Sequence, residues 1–234
     1  KSHSSFHVVN LVKALLVSKG FEEINEFDSF DIKLDSKYFV VRNDSSIIAF
    51  KTPKNLENYH FQIAASHTDS PTFKLKQNPI VKTVEGSSLN VEPYGGMIMS
   101  SWFDKALSIA GRVVVKDQNS VKTMFLDIEK DLLVIPNVAI HMNRDINSGF
   151  KYNPAVDTLP LISTEDVDFK TLLQNELKFD GEILSHDLYL YSRENAKLCG
   201  LNNEFLMSPR IDNLTSVYSS LCALIHAENN DSLQ

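Results

Sequence analysis

The side chains best suited to chemistry lie in three short segments. In His67-Thr68-Asp69-Ser70-Pro71, an imidazole and a carboxylate stand two residues apart. Where the backbone is extended, both point the same way. Asp69 can then accept a hydrogen bond from one ring nitrogen and leave the other for a divalent metal, the arrangement that fixes the tautomer of a metal-binding histidine. The pattern is short, and its plainer account is a loop in which Asp69 or Ser70 turns the chain before Pro71. In Ser208-Pro209-Arg210-Ile211-Asp212-Asn213-Leu214, Asp212 stands at the mouth of a helix. Spacing alone favours an N-cap. The chemical alternative is a carboxylate whose two oxygens bridge two metals, which lie about 3.5–4 Å apart in co-catalytic sites. In Ile140-His141-Met142-Asn143-Arg144-Asp145, an imidazole and a guanidinium close together suit an anionic or carbonyl group. A surface-loop histidine is the plainer account there too.

Elements must bring these groups into place. Phe6, Val9, Val12 and Leu16 predict an opening helix over 4–19, with Gly20 at its exit. A hairpin is expected over 37–51, turning at Asn43-Asp44-Ser45. Residues 60–66 read as a buried strand running into His67, and reactive groups gather beyond the C-terminal ends of strands in open α/β sheets. Pro71 is expected to stop regular structure. From about Gln77 to Asn203, short apolar runs separated by Gly, Pro, Asn and Asp predict a β-rich region, with one helix at 169–177. Leu214, Val217, Tyr218, Leu221, Leu224 and Ile225 then form an apolar helical stripe. The order is α/β, β-rich, α, which fits an α/β fold carrying a β-rich insertion.

Composition removes several function classes. Thirty acidic residues against 23 basic give a net charge of −7, so no nucleic-acid partner is expected. No apolar run approaches the ~20 residues of a membrane span, so no membrane partner is expected. The N-terminus leads into an amphipathic stretch, not the apolar core of a signal peptide. Cys199 and Cys222 are too few for a disulfide framework and read as reduced thiols, which points to the cytoplasm. There is no dinucleotide fingerprint, phosphate-binding loop, Gly-x-Ser-x-Gly elbow, His-Glu-x-x-His helix or Cys-x-x-Cys pair.

Taken in order, several segments carry a family likeness. They include Ser46-Ile47-Ile48-Ala49-Phe50, Ser66-His67-Thr68-Asp69-Ser70-Pro71, Tyr94-Gly95-Gly96 and Trp102-Phe103-Asp104. Further on come Ile135-Pro136-Asn137-Val138-Ala139-Ile140-His141 and Ser208-Pro209-Arg210-Ile211-Asp212-Asn213-Leu214. In these the chain resembles the aspartyl aminopeptidase family, which includes vacuolar aminopeptidase I. The resemblance implies a metal-dependent exopeptidase that removes N-terminal, often acidic, residues from peptides by means of a water activated by two metals. By the same likeness His67 and Asp212 are metal ligands and Asp69 is the acid that orients His67. His141 binds substrate in the active site of a neighbouring subunit. The cofactors would be two divalent ions, zinc first, with cobalt or manganese compatible with such donors.

The implied fold is a metallopeptidase α/β/α domain interrupted by an inserted β-rich dimerisation domain. Residues 1–76 and 204–234 would be the two parts of the catalytic domain and 77–203 the insertion. The expected partners are peptide substrates and further copies of the chain, as dimers building a dodecamer. Ala106 stands where most relatives carry a second acid. The family's Glu-Glu pair, a later metal-binding Asp and a final His match positions past Gln234. The chain alone is therefore expected to hold part of the site and to be inactive. The competing expectation is a non-catalytic oligomerisation or binding module. The peptidase account demands that His67 and Asp212, remote in sequence, converge in space.

Overall fold

Phe6, Val9, Val12 and Leu16 line the buried face of α1 (Ser5–Ser18) in the computed structural model, which describes residues 1–228 except Asn58, Glu85 and Asn119. Gly20 follows at φ +79°, a left-handed setting that glycine adopts without steric cost. β1 (Glu22–Glu23) pairs in parallel with β2 (Lys37–Arg42), which pairs antiparallel with β3 (Ser46–Lys51). Asn43 and Asp44 take positive φ in the turn between them, as their short polar side chains permit.

A run of strands follows: β4 (Thr72–Thr83), β5 (Gly86–Tyr94), β6 (Leu107–Asp117) and β7 (Ser120–Asp127). After an irregular stretch come α2 (Pro154–Asp157), β8 (Leu161–Ser163), α3 (Phe169–Leu177) and β9 (Glu182–Ser192). β10 (Lys197–Cys199) and β11 (Phe205–Met207) form a small ribbon, and α4 (Ile211–His226) ends the order. The chain divides into two compact units, Lys1–Ser70 with Arg210–Gln234, and Pro71–Pro209.

In the first unit the sheet order is β1-β2-β3. Val8, Val12 and Leu16 of α1 meet Phe21 and Phe39, and Leu214, Val217, Leu221, Leu224 and Ile225 of α4 pack against them. Tyr218, expected on that stripe, is 67% exposed. Lys51, buried at the end of β3, donates its ammonium hydrogens to the carbonyls of Ala227 (2.5 Å) and Ile225 (3.4 Å). A cation there satisfies carbonyls at the end of α4 that have no partner within the helix. Burial pulls the Lys51 pKa below its ordinary value, and Lys37 nearby adds to the effect.

The second unit is a six-stranded sheet in the order β7-β6-β9-β4-β5-β8. Its core joins Phe73, Leu75, Leu89, Leu107, Ile109 and Leu188 to Phe169 and Leu173 of α3. α3 spans the predicted residues and is capped by Asp168, whose carboxylate accepts from the backbone N–H groups of Lys170 and Thr171.

Two expectations are corrected, and the compact units divide the chain at other positions than the expected domain borders. Residues 60–66 are not a buried strand: beyond a bridge at Phe61 they form no ladder among the described residues, and Phe61 and Ile63 are 62% and 84% exposed. Apolar, β-branched composition favours a strand, but a ladder also needs a neighbour to supply donors and acceptors. Pro71 does not end regular structure, since β4 begins at Thr72. A proline immediately before a strand costs the ladder no donor. The units divide at 70/71 and 209/210, whereas the sequence placed the borders at 76/77 and 203/204. The pairing of β4 with β5 from Thr72↔Tyr94 onward ties 72–76 to the β-rich unit. Among the described residues no helix is long and apolar enough to cross a membrane.

Candidate metal centre

His67 and Asp212 converge. The chain reaches His67 from an extended stretch that Thr68 fastens, its hydroxyl donating to the Ser45 carbonyl in the β2–β3 turn at 2.9 Å. Ser70 ties the other flank, its hydroxyl donating to the Asp212 backbone carbonyl at 3.0 Å. His67 Nδ1 lies 3.0 Å from Asp69 Oδ1 and 3.0 Å from the Asp69 carbonyl. His67 Nε2 lies 3.4 Å from Asp212 Oδ1. With the proton on Nδ1 donated to Asp69, Nε2 presents its lone pair on the side of Asp212.

Asp212 is not an N-cap. The N-cap position belongs to Arg210 at φ +61°, and Asp212 has non-helical backbone (φ −85°, ψ 113°) inside α4 with a cis peptide to Asn213. The Asp212 carboxylate faces His67 Nε2 across 3.4 Å. Its side chain is 83% exposed, and that of His67 is 53% exposed. Desolvation lowers the His67 pKa, but hydrogen bonds to Asp69 and the charges of Asp69 and Asp212 outweigh it and raise the value overall.

The donor set fits a divalent cation as part of a site. Two ligands held tetrahedrally at about 2.0–2.1 Å from zinc lie about 3.4 Å apart, which is the separation of Nε2 and Oδ1. Neutral imidazole and carboxylate are the chemistry such an ion takes, and Asp69 on Nδ1 is the usual outer partner of a ligating histidine. The set is incomplete: among the described residues no group of three or more His, Cys, Asp or Glu side chains is placed to hold a metal.

His141 belongs to the other unit. It is exposed on the stretch between residues 136 and 153, with Arg144 also exposed one turn further on. Sequence reasoning missed the groups that hold these residues. The Ser70–Asp212 tie spans 142 positions, and no local pattern signals it. Asp104 stood out only as part of a family segment, yet its carboxylate accepts two hydrogen bonds from Asn137, four residues before His141. His186 is buried in β9 against the ring of Phe169, with no hydrogen-bond partner for Nδ1 among the described residues. Burial lowers its pKa.

Comparison with known proteins agrees on one family. The model described as aminopeptidase I zinc metalloprotease (M18) matches residues 1–234. A probable M18 family aminopeptidase 2 from Clostridium acetobutylicum is 44% identical over 238 aligned residues, covering 97% of this chain and 55% of the relative. A solved complex of Ape4 and Nbr1 superposes with a TM-score of 0.89 at 33% identity, over 98% of this chain and 50% of that one. The structure of Chaetomium thermophilum mApe1 gives a TM-score of 0.90 at 27% identity, over 100% of this chain and 58% of that one. The chain thus spans about half the length of the proteins it matches.

Proposed function

Because the chain belongs to the M18 family of aminopeptidase I zinc metalloproteases, we propose that the full-length polypeptide is a metal-dependent aminopeptidase that removes N-terminal, acidic residues from peptides. In this reading His67 and Asp212 would hold metal at a site for two divalent ions, with zinc the expected element and cobalt or manganese compatible with the donors. The bound ions supply Lewis acidity beside the scissile carbonyl. Asp69 keeps the His67 proton on Nδ1, so that Nε2 stays available. His141 hydrogen-bonds substrate at the active site of a neighbouring subunit, and the β-rich unit serves dimerisation within a larger homo-oligomer in the cytoplasm.

The observation that carries the reading is the meeting of His67 Nε2 with Asp212 Oδ1 at 3.4 Å while Nδ1 is engaged by Asp69. Two side chains 145 positions apart in sequence meet at a separation typical of ligands that share a metal. The incomplete donor set supports a second statement: these residues alone do not turn over substrate.

The test uses full-length protein, wild type and His67→Ala, with Asp-, Glu- and Leu-amide substrates and elemental analysis for bound metal. The substitution should abolish hydrolysis and reduce metal content. Retained activity removes His67 from the metal site. Faster cleavage of the Leu substrate than of the Asp and Glu substrates removes the acidic preference and leaves the peptidase reading intact.

A further inference from the structure

Residues 136–153 contain neither helix nor strand. Irregular segments longer than about 12–15 residues inside a compact unit are uncommon and usually serve function. Such a segment can present His141 reproducibly only if its roots are fixed.

Both roots meet one dipeptide. At the first root, the Asp104 N–H donates to the carbonyl of buried Ile135 at 2.9 Å. The Asp104 carboxylate then accepts from the Asn137 backbone N–H through Oδ1 and from the Asn137 side-chain amide through Oδ2, each at 2.9 Å. At the second root, the ring of buried Phe103 packs on Tyr152 with centroids 5.0 Å apart, and Phe150 meets Tyr152 edge-on at 5.3 Å. Asn153 then caps α2 by accepting from the Ala155 N–H. Between the roots the backbone closes local turns, Met142 N–H to the Ala139 carbonyl and Ser148 N–H to the Asp145 carbonyl, both at 2.8 Å.

We infer that Asp104, with Phe103 beside it, is a positioning residue: it fixes the root of the 136–153 loop and so sets where His141 is presented to substrate. The inference rests on the reading of His141 given above. The geometry is more demanding than a chance surface contact, since both carboxylate oxygens are engaged by both donors of a single residue. Asp104 takes φ +55°, the left-handed setting that aspartate enters more readily than most residues because its short side chain can hydrogen-bond locally. Hydrogen bonds from Asn137, backbone first and then side chain, also hold the carboxyl below its usual range, so it is ionised and accepts on both oxygens at neutral pH. His141 follows the anchored Asn137 after only three residues. Displacement of a substrate-binding group by 1 Å can cost about 100-fold in rate.

Four variants of the full-length protein test this: His141→Ala, Asp104→Ala, Asp104→Asn, and Asp104→Asn combined with Asn137→Asp. Asp104→Asn sets two amide groups donor to donor, and the added Asn137→Asp restores a donor–acceptor pair with the roles exchanged. Asp104→Ala and Asp104→Asn should lower kcat/KM by about 10-fold or more, toward the level of His141→Ala, with bound metal unchanged. Hydrogen exchange should quicken over 136–153 in both, and the double variant should recover rate and protection together. Should Asp104→Ala fail to fold, the Asp104→Asn variant and its double partner decide. Impaired His141→Ala alongside wild-type kcat/KM in the Asp104 variants would overturn the positioning role and leave the His141 reading standing. Wild-type kcat/KM in His141→Ala would overturn that reading, and this inference with it.

Discussion

The two units enclose their apolar side chains to different degrees. In the β-rich unit, Leu89, Leu107, Ile109, Val113, Ile128 and Leu188 are completely buried between the sheet and the elements that cover it. In the other unit, α4 contributes no fully buried residue, and Phe61 and Ile63 stand mostly exposed just ahead of His67. Six strands with α3 packed on them close a core within this chain, whereas the unit of Lys1–Ser70 with Arg210–Gln234 leaves more apolar surface uncovered in a chain that spans about half the length of its relatives. The side chains assigned to metal sit on the less enclosed elements, and the His141 loop is pinned to the more enclosed one. The lesson is that the two halves of the proposed chemistry are held by different means. The loop in the β-rich unit is rooted beside a filled core by Phe103 packing and the Asp104–Asn137 hydrogen bonds, while around His67 and Asp212 the ties are single hydrogen bonds: Thr68 donates to the Ser45 carbonyl, Ser70 donates to the Asp212 carbonyl, and Asp69 accepts from His67 Nδ1.

The largest effect should come from breaking the better-filled core. Leu107 is completely buried, and its backbone N–H also pairs with the Leu133 carbonyl. Leu107→Ala removes packed methyl groups and leaves a cavity, a change that costs about 2–5 kcal/mol. Ile63→Ser, at an 84% exposed position, should change stability by no more than about 0.5 kcal/mol in this chain. Denaturant titration of the 234-residue chain measures both. A cost at Ile63 equal to that at Leu107 would erase the contrast between the units.

An intermediate effect is expected where the less enclosed unit relies on a polar tie. The Lys51 ammonium reaches the carbonyls of Ala227 and Ile225 at the end of α4. Lys51→Met keeps most of the stem's apolar contact and removes those donors. The loss should be about 1 kcal/mol, because the avoided desolvation of the ammonium offsets part of the lost hydrogen bonding. Hydrogen exchange over the last turns of α4 should quicken accordingly. Unchanged exchange there would mean that apolar contacts alone hold the helix.

How much of this was legible in the sequence follows the same contrast. Local signals read well: the helical spacing of Phe6 to Leu16, the turn residues Asn43-Asp44, and the span of α3 all depend on neighbours a few residues away. Signals that need a distant partner read badly. Residues 60–66 have strand composition but no ladder, and the start of β4, which contains Pro79, was hidden because Pro71 suggested an ending. The register of β4 against β5 shifts between Leu75 and Ile80, a bulge that accommodates a proline without a donor. For the site, residue types pointed to His67, Asp69 and Asp212, but helix-start spacing favoured a cap at Asp212, and only the fold shows its backbone leaving the helix. Asp104 was illegible for the same reason, since its partner Asn137 is 33 positions away.

The smallest expected effect concerns charges spanning the sheet of the β-rich unit. Asp187 on β9 accepts from Arg112 on β6, through Nε at 3.0 Å and the terminal nitrogen at 2.9 Å, and pairs with Lys74 on β4 at 3.1 Å. Partial burial alone would push the Asp187 carboxyl up, but hydrogen bonds and charge from Lys74 and Arg112 overrule it and hold the carboxyl below its ordinary range. A carboxylate depressed in the folded state stabilises the fold above its unfolded pKa, about 3.9, and loses that contribution as pH falls through the lower, folded value. Asp187→Asn cannot titrate. Its stability deficit relative to wild type should therefore be constant from pH 7 to about 5 and shrink below about pH 4. Denaturant midpoints of the two proteins between pH 7 and pH 2.5 measure this difference, with the titration of all other carboxylates common to both. A deficit that stays constant into strong acid would mean that the three side chains contribute through shape and contact. Three strands of the better-filled sheet would then owe nothing to the ion pairs that cross them.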